Sequence, residues 1–282
     1  VFFAGPSNVE AARLIPGAEV ISIPVTRPFQ SIEQIRKEHF DLWIDCGAWP
    51  RINALFSYFA KASWKVGFRR PGQGRHFVYD EAVMHRDVHE LVNYQQLIGT
   101  WGDVRDGSLD LQRAGRVVDC KLLVFHLYPG GSRARWKEWP EEKWERLALQ
   151  WIQRGYKVVC TGGERDRQRL CAFQQRCTFP VELAIGPLNQ TAELIEEAAA
   201  VVSVDTGILH LATGLGRPTI GLYGPTTPAR WGGVGPHFRP IRATAAAACL
   251  SLGFEKPCPQ CDCMGQIEVE QVVDQLEAAV HG

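Results

Sequence analysis

The chain has no excess of either charge: 31 Lys and Arg balance 31 Asp and Glu. No global field therefore draws it toward nucleic acid, and any recognition of anions falls to local basic clusters. It has no apolar run near the roughly 20 residues of a membrane span, and no basic-then-apolar export signal at its amino terminus. A soluble, intracellular protein is expected, with contact to a membrane surface left open. Neither G-x-G-x-x-G nor G-x-x-x-x-G-K-[ST] occurs, so dinucleotide redox chemistry and P-loop phosphoryl transfer lack their usual fingerprints. There is no Asp-x-Asp step either, so a metal-bridged diphosphate is not indicated. Internal repeats and low-complexity tracts are absent.

The nine cysteines are an odd number, five of them scattered, which argues against a secreted disulfide scaffold and for a reducing compartment. The other four, Cys249, Cys258, Cys261 and Cys263, crowd near the end. A C-x2-C step suits zinc, but a second well-spaced pair is missing, and structural cysteines are the plainer reading.

What the chain does have is globular usage, 45% hydrophobic and 22% charged over 282 residues, enough for two cores of ordinary size. Strands at about Val1 to Ala4, Glu19 to Ile23, Leu42 to Asp45 and Lys65 to Phe68 alternate with helical patterns near Ser31 to His39, Arg51 to Ala62 and His89 to Trp101. Residues 102–119 are polar, contain glycine and read as a linker. Strands then recur at Leu122 to Leu127, Lys157 to Thr161 and Val181 to Ile185, with helices at Glu141 to Arg154, Arg165 to Arg176 and Thr191 to Ala200. A closing helix runs from Val269 to Val280. Alternation of this kind implies an α/β fold of two Rossmann-like lobes, their parallel sheets covered by helices on both faces.

The most informative segment is Val201 to Pro225. It reads as a short strand, a polar turn (Asp205, Thr206, Gly207), a helix of about two turns, a Gly216-Arg217-Pro218 stop and a second strand, Thr219 to Tyr223. A strand feeding directly into a helix aims unpaired N–H groups at whatever lies above the sheet edge, and Gly207 lets a ligand approach the backbone. The plain alternative is an ordinary βα turn with Asp205 or Thr206 as helix cap. His210, one helical turn further on, and a second permissive loop, Gly224-Pro225-Thr226-Thr227-Pro228, favour a seat for a diphosphate.

In these residues the segment resembles the donor-binding core of the ADP-heptose:lipopolysaccharide heptosyltransferases, glycosyltransferase family 9. Asp205, Thr206, Gly207, His210, Pro218, Tyr223, Gly224, Pro225 and Thr226 all fit that pattern. The resemblance implies the GT-B architecture: an acceptor-side lobe over residues 1–110, a nucleotide-sugar donor lobe over 119–265, and a carboxyl-terminal helix over 266–282 packing back toward the first lobe. Lys137 to Trp144 resembles the family's Lys-x-Trp-Pro-x-x-x-Trp element, which implies that Lys137 contacts the donor phosphate. Asp205 and His210 would join it in catalysis, with Ser132, Thr206, Gly207, Gly224 and Thr226 in substrate binding.

Thr161-Gly162-Gly163-Glu164 closes another strand. Its glycines admit an adenine, and Glu164 stands where the family has its ribose-binding glutamate; the plain alternative is a first-turn glutamate favouring the helix dipole. In the first lobe, Arg69, Arg70 and the basic loop through His76 suit a phosphorylated saccharide or glycolipid acceptor, or are simply a solvated loop. His85-x-Asp87-x-His89 alternates ligand types, but Asp87 as a helix cap fits better than a metal site.

The resemblance therefore implies an inverting transfer of a heptose or related sugar from ADP-heptose to a lipopolysaccharide-core acceptor, without metal or other cofactor. It also implies a cytoplasmic protein, peripheral on the inner face of the cytoplasmic membrane. One departure stands against it. Family members open with a Gly-Asp loop whose aspartate is thought to act as general base, and nothing here matches it; Val1-Phe2-Phe3-Ala4 followed by Pro16-Gly17-Ala18-Glu19-Val20 resembles the family's second and third strands. About one βα unit is expected to be missing. Asp45 is the nominee for a substitute base, with a strand-end cap as its plainer role, and a catalytically degenerate ADP-sugar-binding module or a protein scaffold remain the alternatives.

Overall fold

The computed structural model describes residues 1–103, 109, 117–131, 133–243, 249–250, 255 and 262–281. The chain divides into two compact units, Val1–Asp106 and Gly107–Gly282.

The first unit contains β1 (Phe2–Ala4), α1 (Val9–Ala12), β2 (Val20–Ser22), α2 (Pro28–Ile35), β3 (His39–Asp45), α3 (Arg51–Phe59), β4 (Lys61–Arg69), β5 (Glu81–Met84) and α4 (Glu90–Gly99). The pair β1-β2 and the triplet β3-β4-β5 are separate parallel ladders. Among the described residues, rings rather than backbone hydrogen bonds link them. Phe3 packs against Phe40 and Trp43 with centroids 5.8 and 5.3 Å apart, beside a small core of Ile23, Ile35 and Phe56. Two sequence expectations shift. The helix read as Ser31 to His39 starts three residues earlier, because Pro28 is preset for a first helical turn, and it gives His39 to β3, where that residue pairs with Lys61. Strand β5 was not foreseen; its four residues carry no clear alternation and are held by pairing with β4.

Asp45 ends β3 and is buried. Its carboxylate accepts from the Gly47 N–H at 2.8 Å, from Arg75 at 2.8 Å, from the Tyr79 hydroxyl at 2.5 Å and from Ser57 at 3.4 Å. Gly67 on the neighbouring strand makes room for this: a Cβ there would stand 2.3 Å from the Tyr79 ring. Both carboxylate oxygens are thus engaged in a strand-end cap, the plainer of the two roles read from the sequence, and Arg75 of the basic loop is an internal residue rather than a solvated one. The Asp87 cap is corrected too. Helix α4 begins at Glu90, which makes His89 the cap, its Nδ1 accepting from the Leu91 N–H at 3.2 Å.

The second unit contains β6 (Asp119–His126), α5 (Glu141–Gln153), β7 (Lys157–Gly162), α6 (Arg167–Arg176), β8 (Glu182–Ile185), α7 (Leu188–Glu197), β9 (Ala198–Val204), α8 (Gly207–Gly214), β10 (Thr219–Tyr223), α9 (Pro228–Trp231), β11 (Phe238–Arg242) and α10 (Val269–His281). Its six strands are all parallel in the order β11-β10-β9-β6-β7-β8. Successive residues Leu122 to Phe125 are all buried, so both faces of β6 are covered. Leu123 and Phe125 join one large core with Trp144, Leu147 and Trp151 of α5 and Val272, Val273 and Leu276 of α10. Trp139 lies in the same core and donates its indole N–H to the Ile267 carbonyl at 3.0 Å.

Here also the reading shifts at two places. Ala198 to Ala200, read as the end of a helix, belong to β9, because pairing with β6 overrides alanine's preference for helix. Strand β11 went unseen because of Pro240, which an edge strand tolerates.

Removing one partner of a buried ion pair leaves the other charge uncompensated, at a cost of about 3–5 kcal/mol. Arg75→Ala is therefore expected to lower the urea-unfolding free energy of the protein by about 3 kcal/mol or more, whereas Arg69→Ala, on an exposed side chain, should stay within about 0.5 kcal/mol of wild type. Equal midpoints for the two variants would mean that the Asp45 cluster does not hold the fold.

Candidate functional site

In the second unit the connections run one way from β6 through β7 to β8 and the other way from β9 through β10 to β11. The strand order reverses between β6 and β9, the place where open α/β sheets form a ligand crevice beyond their carboxyl ends. Two sequence-distant pieces meet there. The 3-10 stretch Ala134–Lys137 follows β6, and the corner Asp205-Thr206-Gly207 follows β9. The Lys137 ammonium donates to the Asp205 backbone carbonyl at 2.9 Å and lies 3.5 Å from the Asp205 carboxylate. The Lys137 side chain is partly exposed and that of Asp205 nearly buried.

The corner itself is built by its own sequence. Thr206 is extended and caps α8, its hydroxyl accepting from the Ile208 N–H at 3.1 Å, which is the capping role the plain reading gave it. Gly207 is exposed, and a Cβ there would meet no heavy atom within 4 Å, so the first helical residue faces open space. His210 lies exposed on the next turn. The eight-residue α8 turns its amino end, with its partial positive charge, toward the crevice side of the sheet.

The neighbouring loops separate into open and packed positions. Gly163 is exposed and donates its N–H to Asp166 at 3.3 Å, whereas Gly162 is a packing glycine: a Cβ there would stand 2.6 Å from Leu170. Glu164 is exposed and paired with Arg167 through both oxygens, a hydrogen bond that holds its carboxyl below the usual range. Gly224 is buried, with a would-be Cβ 2.6 Å from the Met264 sulfur, so packing demands glycine there. Thr226 is buried, and its hydroxyl has no hydrogen-bond partner among the described residues. Ser132, Cys258 and Cys261 lie outside the described residues; Cys249 is partly buried and Cys263 is buried.

The first unit presents Arg69 exposed at the end of β4, while Arg70 lies over the Trp49 ring at 3.3 Å. Among the described residues no three His, Cys, Asp or Glu side chains are grouped as metal ligands. No helix there is long and apolar enough to cross a membrane.

Sequence reasoning passed over two features of this region. One is a set of contacts on the residues that flank Lys137 in sequence. Arg169 of α6 forks the Glu138 carboxylate at 2.9 and 2.7 Å, and the Tyr128 hydroxyl donates to Glu141 at 2.6 Å. The other is His126, buried at the carboxyl end of β6, with Nδ1 3.1 Å from the Thr161 carbonyl. Their partners are 13 to 35 residues away, beyond any local pattern.

A doubly wound parallel sheet with a lysine and a helix amino end at its switch point defines a class, the α/β proteins that seat phosphorylated ligands at the sheet's carboxyl edge. The sequence profile of glycosyltransferase family 9 (heptosyltransferase) matches residues 29–259, and the chain belongs to that family. It is similar to lipopolysaccharide heptosyltransferase 2 of Escherichia coli K12, 34% identical over 158 residues, which are 53% of this chain and 44% of that protein. Lipooligosaccharide heptosyltransferase 2 of Haemophilus influenzae is 36% identical over 111 residues, 37% of this chain and 32% of that one. The chain thus spans less than half the length of the curated relatives it matches. In fold it is similar to E. coli heptosyltransferase WaaC solved with ADP, at a TM-score of 0.78 and 20% identity over 98% of this chain and 89% of that one. E. coli ADP-heptose LPS heptosyltransferase II follows at 0.73 and 20%, over 99% and 88%. The α/β fold of the GT-B type expected from the sequence is the fold found.

His126 gives the site a pH dependence of its own. Burial pushes its imidazole down to about 4, against the pull of Asp166 and of backbone hydrogen bonds. A histidine kept neutral when folded, but free to protonate near pH 6.5 when unfolded, stabilises the fold above that pH and withdraws the stabilisation as pH falls toward 4. The withdrawn amount is on the order of 3 kcal/mol. Urea midpoints at pH 7 and pH 4.5 should therefore differ less in His126→Gln than in wild type; parallel pH slopes would remove His126 as the cause.

Proposed function

We propose that this chain transfers a heptose, with inversion at the anomeric carbon, from ADP-heptose to a lipopolysaccharide-core or related saccharide acceptor. The observation that carries the reading is the meeting of Lys137 with the Asp205-Thr206-Gly207 corner at the switch point, in a chain of glycosyltransferase family 9. A relative in fold, E. coli WaaC, was solved with ADP and with ADP-2-deoxy-2-fluoro heptose.

In this reading the acceptor hydroxyl attacks the anomeric carbon as the bond to the diphosphate oxygen breaks, ADP leaves with an additional negative charge, and the hydroxyl proton passes to a general base or, without one, to water. Lys137 and the first-turn amides of α8 offset that charge, and because they are already in place they do so without reorganising. Asp205 holds the lysine through its carbonyl and carboxylate. His210 and the buried Thr226 hydroxyl contact the diphosphate or the sugar, and Ser132 joins them. Gly163 and Glu164 take the adenosine, the glutamate exchanging part of its pairing with Arg167 for the ribose hydroxyls. The lysine-and-amide arrangement, in a sequence with no Asp-x-Asp step, meets the diphosphate's charge without a metal ion. Arg69 and Arg70 of the first unit take the anionic groups of the acceptor, a glycolipid at the cytoplasmic face of the inner membrane.

Asp45 favours one second reading. Its oxygens are engaged by four donors, so it is a poor candidate for the general base, and a chain relying on it would bind ADP-heptose without turning it over. Calorimetry and a transfer assay separate the cases. Expected are ADP binding, heptose transfer, and a loss of at least tenfold in kcat for Lys137→Ala with its unfolding midpoint unchanged. ADP binding without transfer selects the second reading. No ADP binding, or a fully active Lys137→Ala, overturns the site.

A further inference from the structure

Lys137 sits on a segment that cannot set its own shape. The chain enters it through Gly131 at φ 84 and Arg133 at φ 62, and the left-handed region is disfavoured for a side chain such as arginine's. The 3-10 stretch Ala134–Lys137 has no side-chain cap. Something outside must hold it. Glu138, the next residue, is held by the two-pronged fork of Arg169, a geometry that fixes orientation as well as distance. The same guanidinium lies 3.8 Å from the centroid of the Tyr128 ring, on the loop where β6 ends. Tyr128 donates to Glu141 at the start of α5, and Glu141 accepts from Arg176 at the end of α6 at 2.7 Å. Arg169 and Arg176 both belong to α6, which follows the Gly163-Glu164 turn, where Asp166 accepts from the Gly163 N–H.

We propose that Arg169 is a positioning residue for Lys137, and that through α6 it ties the lysine on the phosphate side to the Gly163-Glu164 turn on the adenosine side. The proposal rests on the reading of Lys137 given under Proposed function, but its structural half stands apart from it. Arg169 touches neither the donor nor Lys137. It fixes the residue beside the lysine, and a displacement of about 1 Å there is enough to cost up to about a hundredfold in rate.

The test uses the full chain and two readouts. Hydrogen exchange of the peptide spanning Ala134 to Glu138 should quicken tenfold or more in Arg169→Ala and in Glu138→Gln, with the unfolding midpoint held; unchanged exchange overturns the proposal whether or not the protein turns over ADP-heptose. In the transfer assay Arg169→Ala should lower kcat about tenfold while the acceptor KM stays within twofold. Arg169→Lys, which keeps the charge but cannot form the fork, should remain impaired. Placed on Lys137→Ala, Arg169→Ala should add no further loss, because the residue acts through the lysine. A multiplicative loss in the double variant would make Arg169 a general structural support and overturn the positioning role. Should Arg169→Ala fail to fold, Glu138→Gln carries the same measurements. If wild type transfers no heptose, the double-variant comparison is read in ADP affinity, where equal losses support the proposal and additive ones overturn it; if it binds no ADP, only the proposed function fails and the exchange result decides.

Discussion

A lysine ammonium held by a backbone carbonyl 68 residues further along the chain organises the second unit's site. The carbonyl belongs to Asp205, the first residue past β9, and the lysine to the stretch past β6. Those strands are neighbours only because the order of connections reverses between them. A sheet wound in one direction throughout would separate the two loops. Fixing the ammonium to a carbonyl, with the carboxylate 3.5 Å away, removes much of the entropy that a free lysine would lose on meeting a phosphate. It also brings the lysine to the amino end of α8, where the backbone dipoles add to its charge. The site is therefore a consequence of topology first and of side-chain chemistry second.

Around that tie the glycines do two opposite jobs. Gly207 faces open space, while Gly162 and Gly224 have no room for a methyl group because Leu170, Met264 and Cys263 fill it. A sequence motif records only that glycine is present. The sheet edge needs both kinds, since a loop that presents its backbone to a ligand must be pressed against something on its other side. Gly224 reads as a ligand contact in sequence, and in the fold its Cα side packs against Met264 and Cys263, while Thr226 of the same loop is buried with no hydrogen-bond partner for its hydroxyl among the described residues.

How much of this was legible follows from the range of the interactions. The strands of the second unit are short apolar runs between turn residues, and β10 was read to the residue. The Asp-Thr-Gly corner was legible because its cap, its glycine and its helix are contiguous. Boundaries decided by pairing were not: Ala198 to Ala200 have the composition of a helix and the partner of a strand, and Pro240 hides an edge strand whose ladder it does not break. Side-chain ties across 30 or so residues were also invisible. Asp45 with Arg75, and Glu138 with Arg169, look like ordinary surface charges until the fold brings them together.

Arg75 makes the general point most clearly. The stretch from Arg69 to His76 reads as one basic loop in a neutral protein, and charge alone treats its arginines as equivalent. Burial separates them. Arg75 is buried against Asp45, which offsets its charge, Arg70 lies over the Trp49 ring, and Arg69 is exposed. The loop's capacity to attract an anion is accordingly smaller than its sequence suggests, and its shape is more rigid, because Arg75 anchors one end and Arg51 holds the Gly72 carbonyl at 3.2 Å. A loop tied at two points and carrying few outward charges discriminates among anions by geometry more than by attraction.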